Sequence, residues 1–149
     1  MSNWDDLEAE LTGVELGREA GEWAVIAMAC VAFADGSADE SELAKAREIV
    51  RRASVITKSL GSEFGEQLYR DTIERIRSSP EAELEFLKQE LGELAGRITE
   101  QRHRDDAFHT LVVIATADHR IEVAEHKMML ELKELIGSEV MVPMPHINV

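Results

Sequence analysis

Cysteine, proline and aromatic residues are scarce in this chain. Cys30 is the only cysteine, so no disulfide framework exists and a reducing compartment is expected. Three prolines and 5% aromatic residues, together with abundant Ala, Leu and Glu, favour helices over a sheet. The sequence therefore predicts an all-α protein, and we expect it in the cytoplasm.

Long apolar runs and a secretion signal are also missing. The longest apolar runs span about a dozen residues, short of the roughly 20 needed to cross a bilayer. We therefore interpret them as buried core helices and expect no transmembrane segment. The start of the chain, residues 2–6, lacks the basic and apolar regions of a signal peptide. At 149 residues and 44% hydrophobic content, the chain has room for a single domain, 1–149, with a real core.

Basic residues are rare in the first third of the chain. The net charge is −14, and residues 1–42 contain eleven acidic residues but only Arg18 as a base. Residues 43–79 are mildly basic. An acidic surface repels phosphates and releases no counterions, which disfavours direct nucleic-acid binding. Cations and basic partner proteins are the better candidates, whereas the oligomeric state, monomer or dimer, stays open.

Apolar periodicity predicts about six to seven helices, built on two helix-turn-helix repeats. The core of the domain spans about residues 20–140, after an acidic N-terminal helix over residues 4–11. Two prolines make the tail, residues 138–149, irregular. The further helices are expected over residues 16–34, from the first acidic turn to Gly61, and over 62–78, 80–98, 99–117 and 122–136.

A short acidic turn occurs twice in this chain, and it is the most informative feature of the sequence. Residues 34–42 read ADGSADESE, and residues 117–125 read ADHRIEVAE. The two copies lie 83 residues apart. Each follows a strongly apolar stretch and precedes a stretch with helical periodicity. The repeated context indicates that the repeat is structural.

Four of the repeated acids have the spacing of helix starts. An acid at the start of a helix caps backbone amides, and an acid three residues later reaches back to the first. Negative charge in a first turn also suits the helix dipole. This interpretation is sufficient for Asp39, Glu42, Glu122 and Glu125.

Asp35 and Asp118 need a different explanation. Each ends an apolar helix, where a negative charge faces the unfavourable end of the helix dipole. Backbone amides of the turn could offset this cost, and so could a bound cation. If Asp35, Asp39 and Glu42 converge on one loop, their carboxylates offer the hard oxygen ligands that Ca²⁺ and Mg²⁺ prefer. The spacing is not that of an EF-hand, because Gly36 follows Asp35 directly and Ala46 stands at the twelfth position.

These turns resemble those of the tellurite-resistance TerB family and the related TerB-like domain of the membrane-anchored co-chaperone DjlA. The resemblance covers roughly residues 20–140. It implies an all-helical, non-catalytic domain, associated with stress and phage defence in membrane-associated assemblies. It also implies a divalent-cation site formed by both turns. The matching metal ligands would be Asp35, Asp39, Glu42, Asp118, Glu122 and Glu125, with Glu40 as a further candidate.

Two other functions remain open. His119, Glu122 and His126 could bind Zn²⁺, and His119 or His109 could serve a helical metal-dependent hydrolase. However, the sequence has no phosphate-binding loop, nucleophile elbow or His-Glu-x-x-His motif, so we expect no enzyme. A purely structural dimerisation domain could use the leucine-rich stripe from Leu84 to Ile98 or the C-terminal tail.

Overall fold

The computed structural model describes residues 3–117 and 121–145. This part of the chain contains eight helices and no strand, which confirms the all-α class. The helix count exceeds the prediction because the region after the first acidic turn forms two helices instead of one. The helices are α1 (Asn3–Glu10), α2 (Arg18–Ala32), α3 (Glu40–Arg52), α4 (Ser54–Leu60), α5 (Ser62–Ser78), α6 (Pro80–Ala95), α7 (Gln101–Ala115) and α8 (Val123–Ile136).

The unexpected break lies at Ala53, between α3 and α4. Ala53 has an extended backbone, with φ −60° and ψ 125°. The next residue, Ser54, donates its backbone amide to Glu8 Oε1 over 3.2 Å and its hydroxyl to the same carboxylate. The Glu8 carboxylate of α1 thus accepts a hydrogen bond from a backbone amide in the first turn of α4, which has no partner within its own helix. Because Glu8 is 46 residues away in the chain, local periodicity could not reveal this break.

Helix α2 lies at the centre of the fold. It packs against α3, α4, α5, α6, α7 and α8, which explains why its sequence is apolar on nearly every side. Trp23 is fully buried, and its ring centroid lies 6.5 Å from that of Phe108 in α7, with a tilt of 55°. Within the described ranges, no helix is long and apolar enough to cross a membrane.

The leucine-rich stripe of α6 belongs to the core. Leu87, Leu91 and Ile98 are buried, and Leu84 and Leu94 pack against the core while half-buried. The stripe therefore offers little surface for dimerisation, contrary to one of the hypotheses drawn from the sequence. Ion pairs fasten this helix to its neighbours: Arg75 of α5 contacts Glu83 and Glu90, and Lys88 contacts Glu131 of α8.

The start of the tail is held by Asp105 of α7. Asp105 Oδ1 accepts hydrogen bonds from the Ser138 hydroxyl and the Glu139 amide, each over 2.9 Å, and from Gln101. Burial alone would raise the pKa of Asp105, but these hydrogen bonds outweigh it and lower the pKa. Residues 138–145 are irregular, as predicted. Residues 146–149 lie outside the described part.

The tail contact makes stability depend on pH. Replacing Asp105 with Ala should lower the free energy of unfolding by about 2 kcal/mol at pH 7, because the buried Ser138 hydroxyl and the Glu139 amide lose a charged acceptor. The folded-state pKa of Asp105 is lowered. Its contribution is therefore present above its unfolded pKa, about 3.9, and is lost as the pH falls through the folded value. Urea unfolding at pH 7 and pH 3 measures this, with the exposed Glu134→Ala as control; an equal loss at both pH values would contradict it.

Two helical glycines should respond oppositely to the same substitution. A Cβ added to Gly21 of α2 would lie 2.1 Å from Ser59 Oγ, and this hydroxyl is held by its bond to the Gly17 carbonyl. Gly21→Ala should therefore destabilise the fold by about 1–3 kcal/mol. At Gly92 of α6 the nearest atom, Leu135 Cδ2, is at an ordinary 3.6 Å. Gly92→Ala should stabilise by about 0.5–1 kcal/mol through helix propensity. Chemical denaturation measures the change in the free energy of unfolding of each variant. Changes of the same sign would contradict the close packing of Gly21 in α2.

Candidate functional site

The first acidic turn begins where α2 ends at Ala32, two residues earlier than predicted. The Phe33 amide donates to a carbonyl of the last turn of α2, and the Gly36 amide donates to the carbonyl of Phe33. Gly36 adopts φ +92°, a backbone conformation that favours glycine. Asp35 therefore lies three residues past the helix. Its Oδ1 accepts the amide of Ser37 over 3.1 Å. A backbone amide of the turn thus stabilises part of the negative charge of Asp35. This was one of the two explanations drawn from the sequence.

Asp39 caps α3, as predicted. Its Oδ1 accepts the Ser41 amide and the Ser41 hydroxyl, each over 2.7 Å, and the Glu42 amide over 3.3 Å. The Ser41 hydroxyl, followed by the two amides, lowers the pKa of Asp39. The predicted return bond from Glu42 is not formed in the described structure. The exposed Glu42 carboxylate accepts no hydrogen bond from any described residue.

The second turn leads into α8 through a reciprocal cap. The Glu122 amide donates to Glu125 Oε1 over 2.9 Å, and the two residues form a capping box. This confirms the prediction that both acids mark a helix start. Asp118, His119 and Arg120 lie outside the described residues, so the predicted roles of Asp118 and His119 stay predictions.

The two turns border one open cleft of about 820 Å³, which we call the acidic cleft. Asp35, Asp39 and Glu42 line it from the first turn, and Glu122 and Glu125 line it from the second. Five of the six residues predicted from the sequence therefore share one space. As they stand, no three Asp, Glu, His or Cys side chains of residues 3–117 and 121–145 are arranged to hold a metal ion.

The negative charge of the acidic cleft is little compensated. Asp35, Asp39, Glu42 and Glu122 form no ion pair with any residue in the described ranges. Glu40, the additional candidate, turns away and forms an ion pair with Arg77 of α5. It does not line the cleft. Carboxylates that line one space without counterions focus negative potential and attract cations.

A smaller apolar pocket of about 160 Å³ adjoins the acidic cleft. The two spaces have Val31, Ala32, Ala38, Glu42 and Glu125 in common. Tyr69 also lines the pocket, and its buried hydroxyl has no hydrogen-bond partner among the described residues. Burial raises the pKa of this hydroxyl, which Arg77 opposes. This pocket was not predicted from the sequence. Its space is left by the small side chains of Ala38 in the first turn, Ala46 in α3 and Ala115 at the end of α7.

The described histidines do not assemble a catalytic centre. His126 Nδ1 lies 2.9 Å from the carbonyl oxygen of Pro143 in the tail, and His109 Nε2 lies 3.1 Å from that of Glu10 in α1. His103 lies 3.6 Å from Glu100. None of the three lines the acidic cleft. The predicted pairing of His126 with Glu122 around Zn²⁺ therefore finds no support in this arrangement.

This fold and site define a class: an all-helical domain in which two helix-turn-helix units meet at a shared acidic cleft. A protein-family model described as tellurite resistance protein TerB matches residues 22–140. The chain belongs to the TerB family, as its resemblance to that family implied, and is thereby a tellurite-resistance-related domain. No curated protein and no solved structure matches the chain significantly.

The Asp39 cap generates a prediction of its own. Asp39→Ala should lower Tm at pH 7 by about 3 °C, because α3 loses the acceptor for its first amides. The pKa of Asp39 is lowered in the folded state, so this contribution disappears as the pH falls through that pKa. Asp39→Asn keeps an accepting oxygen and should recover most of the loss. Thermal unfolding from pH 7 to pH 3 measures both variants; an Asn variant as unstable as the Ala variant would argue against capping.

Proposed function

We propose that this chain is a non-catalytic, divalent-cation-binding interaction module of a tellurite- or stress-resistance system. The observation that carries the proposal is the acidic cleft, which carboxylates from both turns line. Membership of the TerB family supports the association with tellurite resistance. We further propose that the protein acts in the cytoplasm with protein partners, some of them membrane-associated.

The chemistry of the acidic cleft favours Ca²⁺ among the divalent cations. Carboxylates are hard oxygen ligands, and Ca²⁺ accepts six to eight of them in flexible geometry, whereas Mg²⁺ requires a near-ideal octahedron. Ligands from two separate turns suit the more flexible ion. Zn²⁺ prefers histidine and cysteine, but His126 contacts the tail and Cys30 is fully buried.

Binding would pull the two turns together. Uncompensated carboxylates repel one another, and a divalent cation replaces that repulsion with attraction to each of them. Asp39 uses Oδ1 for its cap, while its second oxygen accepts no hydrogen bond from the described residues and is available to a cation. In our proposal, closure joins the starts of α3 and α8 into one surface for a partner. Val123, which is 63% exposed and lines the cleft, would belong to that surface.

The other functions have less support. A hydrolase would need histidines beside the carboxylates, and His103, His109 and His126 each contact other groups. A dimerisation domain built on the α6 stripe would need exposed leucines, and most of the stripe is buried in the core. The exposed Met141 and Met144 leave the tail as a contact in that hypothesis.

Calcium titration followed by thermal unfolding tests the proposed ion site. At a free Ca²⁺ concentration of about 100 Kd, binding to the folded state alone adds roughly 2.7 kcal/mol, which should raise Tm by about 5–10 °C. A double variant, Asp35→Asn with Asp118→Asn, preserves side-chain shape and should lose most of this increase.

The matched control is Glu93→Gln with Glu134→Gln, which removes the same charge from exposed positions of α6 and α8. Neither residue forms an ion pair with a described residue. It should keep the full calcium response. Negligible stabilisation of the wild type would rule out the ion site. Equal stabilisation of all three proteins would show screening of the overall negative charge and would also contradict it.

A further inference from the structure

The apolar pocket beside the acidic cleft is not needed for cation binding and calls for an occupant of its own. We propose that it binds the apolar group of a small organic amine, whose ammonium group lies among the carboxylates of the cleft. This inference goes beyond the proposed cation module and does not rest on it.

The size of the pocket fits a six-membered ring or a branched aliphatic group. Its volume is about 160 Å³, and an apolar protein cavity of about 150 Å³ binds benzene. The walls come mainly from α2, α3 and α7, with Tyr69 of α5, Glu125 of α8 and Ala38 of the first turn completing them. The apolar side chains include those of Met28, Val31, Ile49 and Ile114.

Tyr69 supplies a polar group in this wall. The residue is 2% exposed, and its hydroxyl has no hydrogen-bond partner among the described residues. A buried hydroxyl without a partner is unfavourable, and such groups are usually satisfied. Apolar walls with few polar groups are typical of small-molecule sites. Tyr69 thus adds one polar group to a mostly apolar lining, which is the composition that such sites have.

The mouth of the pocket determines the charge of the ligand. Glu42 and Glu125 line both the pocket and the acidic cleft, and Asp35, Asp39 and Glu122 line the cleft beyond them. Lys45 is the basic residue that lines the pocket. Four of these carboxylates, those of Asp35, Asp39, Glu42 and Glu122, form no ion pair with a described residue, so electrostatic attraction favours a cationic ligand over an anionic one. An amine that carries a ring can place the ring in the apolar pocket and its ammonium group in the acidic cleft.

A metal-free NMR titration of the ¹⁵N-labelled full chain tests this inference with three matched probes. The probes are 2-phenylethylamine, ethylamine, which lacks the ring, and 3-phenylpropionate, which reverses the charge. We expect 2-phenylethylamine to bind at least about tenfold more tightly than either of the others, because only it gains both apolar burial and charge attraction. The shifted amides should be those of residues lining the pocket.

Two variants separate the contributions. Ala46→Leu fills the pocket from α3 and should abolish the preference for 2-phenylethylamine over ethylamine. Glu42→Gln should reduce the preference over 3-phenylpropionate. Ala82→Leu, at an exposed position of α6, is the control and should change neither. The probe comparison on the wild type stands even if a variant fails to fold.

Several results would overturn the inference. Equal affinity for 2-phenylethylamine and ethylamine would show that the pocket takes no part, and equal affinity for the two ring probes would show that the carboxylates take none. An absence of binding at millimolar concentrations would also overturn it. Because the titration is metal-free, calcium stabilisation without amine binding would leave the proposed cation module intact, and the reverse result would remove only that module.

Discussion

The packing of α2 against α7 is the contact on which the site depends. Trp23 and Phe108 meet between these helices. Farther along, Val31 of α2 and Ile114 of α7 line the same pocket, so the two helices bring their C-terminal ends together. Each acidic turn directly follows one of these helices in the chain. Burial of the two apolar helices against each other therefore places two turns 83 residues apart on one cleft.

The turns combine structural and chemical roles in the same side chains. Asp39, Glu122 and Glu125 stabilise helix starts, and they also line the acidic cleft. Two basic residues of the segment after the first turn, Arg75 and Arg77, form ion pairs with glutamates outside the cleft. Asp35, Asp39, Glu42 and Glu122 form no ion pair with a described residue, which favours attraction of cations to this cleft.

Local signals made most of the fold predictable from the sequence. Pro80 begins α6, Asp39 caps α3, and Gly137 ends α8 with φ +72°, because each of these effects acts within one helical turn. The break at Ala53 was not predictable, since its partner Glu8 lies in another helix. The dipole argument for Asp35 was only partly right because α2 ends earlier and Ser37 donates its amide. The apolar pocket depends on how several helices meet, which no local pattern encodes.

Paramagnetic NMR tests most directly whether both turns act as one site. Mn²⁺ binds hard oxygen ligands as Ca²⁺ and Mg²⁺ do and broadens the signals of nearby amides. At substoichiometric Mn²⁺, a shared site predicts parallel broadening of the amide signals of residues 37–42 and 122–125. The signals of α1 should be unaffected despite its acidic Asp5 and Asp6. Broadening of one turn alone, or broadening that follows acidic residues over the whole surface, would contradict a shared site.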